Sequence, residues 1–417
     1  MRSFLRVLPV VVGTAVSAVP SVHAQSTITL FGTEYSVVRI NYSDAIRVPR
    51  IIPTLPRVPF IESEGVQWIG GNKLLLSADD VNDAGGPTNE NWIIEATLAE
   101  ENCVITGIAS FRVVLTQLVA STGYDLNPTG VTWNPSNRGL GAGGNVVVAW
   151  GDGRLLGFSA DPAQQGVQLD FPVGSGCGTV GGIECSLDLT SRNNNLEDVV
   201  FAPVGDHGAF FTVNQDQPTV ERWDALTGAF VGEFPIGFAL PGGTPLFDAK
   251  GITYSTNSDR LPAALQRPDG VLIVAFDDGF PGLQAFALDG TLLGTEVLTV
   301  DGTAGGIARL DVDGCPEQLH LESLSVDPAT GRLFLSNQGS LTLCNYLWVL
   351  TPVTHSCGTC APCAADFNQD GGVDGADVAS FFPEWENSGG CADVNQDGGV
   401  DGADIEAFFL AWEAGGC

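Results

Sequence analysis

Five short stretches of this chain follow one template. "EGVQW" starts at Glu64, "TGVTW" at Thr129, "EDVVF" at Glu197, "KGITY" at Lys250 and "ESLSV" at Glu322. A second apolar run follows each: "LLLSADD" ends at Asp80, "VVVAWGD" at Asp152, "FFTVNQD" at Asp216, "LIVAFDD" at Asp278 and "LFLSNQG" at Gly339. Third runs are visible in "RLLGFSADP", "VERWDALTG" and "LQAFALDG", and fourth runs in "GAFVGEF" and "TLLGTEVL". Helical periodicity is scarce, and Gly, Pro and Asp punctuate the runs. Four short antiparallel strands in a unit of roughly 60–70 residues is the pattern of a propeller blade. The expected fold is therefore mainly β. It is a propeller of five blades, with six allowed by the spacing. "STITLF" near Ser26 offers an extra strand to close the ring.

Blade topology then places residues. The innermost strand crosses from one face to the other and the second strand returns. The start of strand one and the end of strand two thus share a face. This sets Glu64, Glu197 and Glu322 around the central mouth, with Asp80, Asp152, Asp216 and Asp278 near the same rim. Such an acidic ring is suited to a cation, and bound calcium would in turn hold a phosphate or polyol. The structural alternative is that Asp closes turns and Glu bonds backbone amides of the next blade. Lys250 stands where three other blades carry Glu. It either pairs with a ring carboxylate or meets an anionic ligand.

Composition narrows the setting. The formal charge is −32, and Lys73 and Lys250 are the two lysines. That balance repels nucleic acid and anionic membranes. The first 24 residues read as a secretory signal, with Arg2 and Arg6 before an apolar run and Val22-His23-Ala24 as the cleavage site. No other apolar run is long enough to cross a bilayer. In an exported protein the ten cysteines are expected to be mostly disulfides. Cys177 and Cys185 flank a Gly-rich loop, Cys315 could reach Cys344, and the CxxCxxC of Cys357, Cys360 and Cys363 is expected to staple a hinge at 353–364, a metal cluster being the alternative reading. The propeller occupies 26–352.

The last segment, 365–417, says one acidic sentence twice: "ADFNQDGGVDGADVASFFPEW" and "ADVNQDGGVDGADIEAFFLAW". Calcium loops of the twelve-residue type place oxygen ligands at positions 1, 3, 5, 7, 9 and 12, with Gly at 6. The first repeat supplies Asp366, Asn368, Asp370, the carbonyl of Gly372, Asp374 and Asp377. The second supplies Asp393, Asn395, Asp397, the carbonyl of Gly399, Asp401 and Asp404. Two calcium ions are expected here, and more are allowed at the propeller mouth. Only "ENSGGCA" separates Trp385 from Asp393, too little for an entering helix. Each unit is thus a loop followed by one helix. The faces Val378, Phe381, Phe382, Trp385 and Ile405, Phe408, Phe409, Trp412 are expected to pack on each other. Pro383 is expected to kink or shorten the first helix.

This tail resembles a dockerin domain, in particular the kind that ends in Gly-Cys, as Gly416-Cys417 does. The resemblance implies docking to a cohesin-like domain of a scaffold or surface protein. Recognition in that family commonly uses loop positions 10 and 11, here Gly375 and Ala376, then Gly402 and Ala403. Hydroxyl residues common there in cellulosomal members are missing. The body loosely resembles phytase-like secreted propellers, most clearly in "LESLSVDPATGRLFLSN" from Leu321. That likeness carries a fold and no catalytic residues.

The sequence contains no nucleophile elbow and no P-loop, and its histidines lack zinc-ligand spacing. The expected function is a secreted, extracellular or cell-surface propeller, displayed through a calcium-binding tail and serving as a binding platform for an anionic or polyol ligand. The alternative is an extracellular hydrolase, a phytase-like phosphomonoesterase or a glycan hydrolase, working at the acidic mouth.

Overall fold

The computed structural model describes residues 26–48, 57–60, 63–78, 90–101, 104–118, 128–133, 144–151, 153–159, 168–169, 179–180, 183–184, 187–188, 195–206, 208–215, 217–225, 228–239, 245–246, 248–258, 260–277, 282–298, 321–337, 345–353, 364–368, 372–386, 390–392, 394–395 and 400–413. The signal segment, the four rim residues Asp80, Asp152, Asp216 and Asp278, and the cysteines expected to pair lie outside these.

Five antiparallel sheets form the five blades of a propeller. The first runs Ser63–Trp68, Lys73–Ala78, Glu90–Glu101, Val104–Leu118, and the second Pro128–Trp133, Gly144–Trp150, Arg154–Ser159, Gln168–Leu169. The third is Leu196–Ala202, Ala209–Asn214, Gln217–Asp224, Phe230–Pro235, and the fourth Ala249–Ser255, Val271–Phe276, Gly282–Ala287, Leu292–Val297. The fifth begins with Leu321–Asp327, Arg332–Asn337 and Tyr346–Pro352. It is completed by the N-terminal strands Thr33–Asn41 and Ser26–Leu30. The start of the body thus seals its last blade, with Val37 opposite Leu350 and Arg39 opposite Trp348. "STITLF" supplies the outermost strand of that blade, as its position suggested.

The ring closes because each central strand is apolar on both faces. Val271–Phe276 is buried at every position, whereas the outer strand Phe230–Pro235 is largely exposed. Alternate residues serve opposite neighbours. Val146 and Val148 pack with Leu75 and Ile93 of blade one, while Val147 and Ala149 pack with Val199 and Phe210 of blade three. One apolar cluster fills each of the five junctions between adjacent blades. An ion pair between buried Arg332 and Glu100 also joins blade five to blade one.

The tail has its own cluster around Phe381 and Phe408. Its helices run Gly375–Glu386 and Gly402–Glu413, each of 12 residues. Pro383 does not shorten the first. Its ring is on the exposed side, and the last turn is held by Trp385, whose Nε1 donates to the carbonyl of Asp401 at 2.7 Å.

Candidate functional site: an ionic mouth and a paired loop module

Each inner strand enters its blade through a β-bulge. Register jumps from Ser63 to Gly65, Pro128 to Gly130, Leu196 to Asp198, Ala249 to Gly251 and Leu321 to Ser323. The skipped residues are Glu64, Thr129, Glu197, Lys250 and Glu322. A bulge re-aims the extra side chain and leaves it out of the ladder. The five mouth positions are therefore a repeated backbone device rather than ordinary strand residues.

Four of these form one buried ionic group. Lys250 Nζ lies 3.5 Å from Glu197 Oε2, 3.8 Å from Glu322 Oε2 and 3.9 Å from Asp248 Oδ1. Glu64, Glu197 and Glu322 are all buried. Burial alone would lower the Lys250 ammonium. The carboxylates of Glu322, Glu197, Asp248 and Glu64 outweigh it and hold the group above its usual value. For Glu322, burial is the largest influence and Lys250 opposes it. With Glu197, Asp277 and Asp248 adding repulsion, its carboxyl is pushed up to about 7. Lys250 thus pairs with ring carboxylates, one of its two sequence-level readings. Asp248 and Asp277 join the group without having been singled out from sequence.

One residue deeper lies a ring of small side chains interrupted by one carboxylate: Gly65, Gly130, Asp198, Gly251 and Ser323. Asp198 is fully buried. Its Oδ1 accepts Val199 N at 2.8 Å, and its Oδ2 accepts Ile252 N and Ser323 Oγ, both at 3.0 Å. Ser323 Oγ also accepts Val66 N at 3.1 Å. A Cβ on Gly130 would stand 2.1 Å from Asp198 Oδ1. Asp198 consequently touches or links the inner strands of all five blades. Burial drives its carboxyl well above the ordinary range, although the three hydrogen bonds pull the other way. Asp198 thus bonds a neighbouring blade's backbone amide, the kind of bond that the structural alternative gave to the mouth glutamates. The signal was in the sequence: Gly, Gly, Asp, Gly and Ser follow the five mouth residues.

In the tail, the two repeats adopt one pattern. Asp377 Oδ1 accepts Asn368 N at 3.1 Å and its Oδ2 accepts Asp374 N at 2.8 Å. Asp404 repeats this with Asn395 N and Asp401 N at the same distances. Trp412 Nε1 donates to Asp374 O at 3.0 Å, the counterpart of Trp385 with Asp401. Phe381 and Phe408 stack with centroids 4.1 Å apart and planes 3° apart. The units are therefore exchanged by a local half-turn. Each position-12 carboxylate folds its loop by binding the amides of positions 3 and 9. Each oxygen keeps lone-pair capacity for a cation.

The described donors Asp366, Asn368, Gly372, Asp374 and Asp377 are all hard oxygens, as calcium requires. Asn395, Asp401 and Asp404 match them in the second repeat. Asp370, Asp393, Asp397 and Gly399 lie outside the described residues. Among the described residues, no three His, Cys, Asp or Glu side chains are already gathered as a metal would hold them, in the tail or at the mouth. Nor is any described helix long and apolar enough to cross a membrane.

No family model matches the chain, and no curated protein matches it. Among solved structures, a glucose dehydrogenase is similar at 14% identity and a TM-score of 0.39, covering 78% of this chain and 94% of that one. Raptor from Chaetomium thermophilum is similar at 11% identity and a TM-score of 0.33, covering 70% of this chain and 28% of its own. A nidogen/laminin complex follows at 12% and 0.30, covering 59% and 66%. Likeness of that degree brings no activity or ligand to this chain.

Proposed function

We propose that this protein is an exported binding propeller, displayed on a scaffold or cell surface by a calcium-loaded, dockerin-like tail that docks to a cohesin-like domain. The supporting observation is the duplicated loop geometry, in which Asp377 and Asp404 hold equivalent loop amides at equal distances. Calcium would complete each loop through the alternating carboxylate and amide oxygens, lowering the repulsion among them. Limited proteolysis of the full chain tests this. Calcium should protect 364–413 from cleavage, and a chelator should expose it while the propeller stays resistant. Equal cleavage in both conditions would refute the reading.

A second reading, an extracellular hydrolase of phosphomonoesters or glycans, has one supporting observation. Glu322, pushed up to about 7 beside Lys250, carries a proton for part of the time at neutral pH, as a general acid must. Release of phosphate from phytate or simple phosphomonoesters, lost in Glu322→Gln, would favour it.

A further inference from the structure

A cavity of about 680 Å³ opens between blades three and four, on the face opposite the Lys250 cluster. Three turns form it: the one after Ala202, the Arg267–Gly270 turn entering the second strand of blade four, and the outer hairpin after Ala287. The size falls within the range of roughly 300–1,000 Å³ that suits a small organic ligand.

Its charge departs from the rest of the molecule. The chain has 17 basic and 49 acidic residues, yet two arginines line this cavity. Arg222 comes from the third strand of blade three. Its cross-strand neighbours are Phe211 and Gly232, neither of which offers a carboxylate. The guanidinium lies over the Phe211 ring, 5.7 Å from its centroid. Its Nε is buried and has no hydrogen-bond partner among the described residues. A guanidinium keeps its charge and carries a fork of donors matched to a planar oxyanion. The side chain as a whole is half-buried in the cavity lining, so the rest of the fork has donors for a bound carboxylate. Arg267 differs. It is exposed at the rim, and hydrogen bonds from Thr291 chiefly, with the Arg267 charge adding to them, hold the Asp289 carboxyl below its usual value.

The walls add a second preference. The Tyr254 hydroxyl donates to the carbonyl of Asp269 at 3.2 Å. Gly270, at φ +91°, lets its turn lie against that ring, where a Cβ would stand 2.4 Å from Tyr254 Cε2. The ring is thereby fixed as a flat wall. The exposed carboxylates of Asp269 and Asp289 stand ready to accept from hydroxyl groups.

We propose that this inter-blade cavity binds a carboxylate-bearing saccharide unit. Its carboxylate pairs with Arg222, its ring lies against Tyr254, and its hydroxyls donate to Asp269 and Asp289. The proposal rests on the propeller alone and stands or falls independently of the calcium-binding tail.

Calorimetric titration of the full chain with glucuronate and galacturonate, against glucose and galactose, tests it. At least one uronate is expected to bind with a dissociation constant of about 1 mM or tighter, and about tenfold more tightly than its neutral counterpart. Arg222→Met should abolish that preference, and Arg222→Lys should restore part of it. Val204→Trp, which fills the cavity from its lining, should abolish binding without touching the guanidinium, and it serves if Arg222→Met fails to fold. No uronate binding by the wild type, no preference over the neutral sugar, or unchanged binding in Arg222→Met or Val204→Trp would each overturn the proposal.

Discussion

Asp198→Ala tests the central pin of the propeller. The substitution strands Val199 N and Ile252 N, which are buried with their acceptor at 2.8 and 3.0 Å, and deprives Ser323 Oγ of its acceptor. A buried donor left without a partner costs about 1–3 kcal/mol. Ser323 Oγ retains Val66 N, so the two amides set most of the loss. The expected cost is about 3–5 kcal/mol, a large share of the roughly 5–15 kcal/mol that stabilises a typical domain. Asp198→Asn keeps the shape and one acceptor oxygen, and should lose about half as much. Asp206→Ala, an exposed control on the same blade, should change stability by less than about 0.5 kcal/mol. Urea unfolding at fixed calcium, followed by tryptophan fluorescence, measures all three, with an unchanged dependence on denaturant confirming the same transition. An Asp198→Ala loss below about 1 kcal/mol would refute the argument that this carboxylate ties the inner strands together.

Further outcomes follow from the same geometry. Gly130→Ala places a methyl 2.1 Å from Asp198 Oδ1 and 2.7 Å from its Cα, so it should destabilise by at least about 1–3 kcal/mol in the same assay. Glu322 binds its proton more tightly folded than unfolded. Stability from this group is therefore fully present below pH 4.5 and lost as pH rises through about 7, and Glu322→Gln should flatten thermal stability across that window. Trp385→Phe and Trp412→Phe each remove one of the reciprocal bonds to Asp401 O and Asp374 O. They should cost the tail similar amounts, about 1 kcal/mol each, and a strongly unequal pair of losses would contradict the half-turn relation.

The blades were legible because a strand buried on both faces reads as an unbroken apolar run, and one such run follows each of the five mouth residues. "VLIVAF" and "RLFLSN" are examples, each buried along its length. The long hairpin Glu90–Glu101 with Val104–Leu118 was not picked out, since its three register shifts blur its alternation. The bulges were also hidden. They depend on how two strands align, which neither strand states by itself. For that reason Glu197 drew attention while Asp198, the residue that reaches its neighbours, did not. The Arg222 cavity was illegible for a similar reason: it is assembled from turns of two blades and one strand position whose facing residues are known only from register. The tail was the clearest text. Its aromatic spacing implied that neither unit could bury its face alone, and the stacked Phe381 and Phe408 are that burial.

Calcium titration of the full-length protein by calorimetry tests the central claim most directly. The account predicts two ions bound per chain through the paired loops, and a single ion after Asp377→Ala, with Asp404→Ala giving the same reduction. No saturable binding in the wild type, or binding that neither substitution alters, would contradict it.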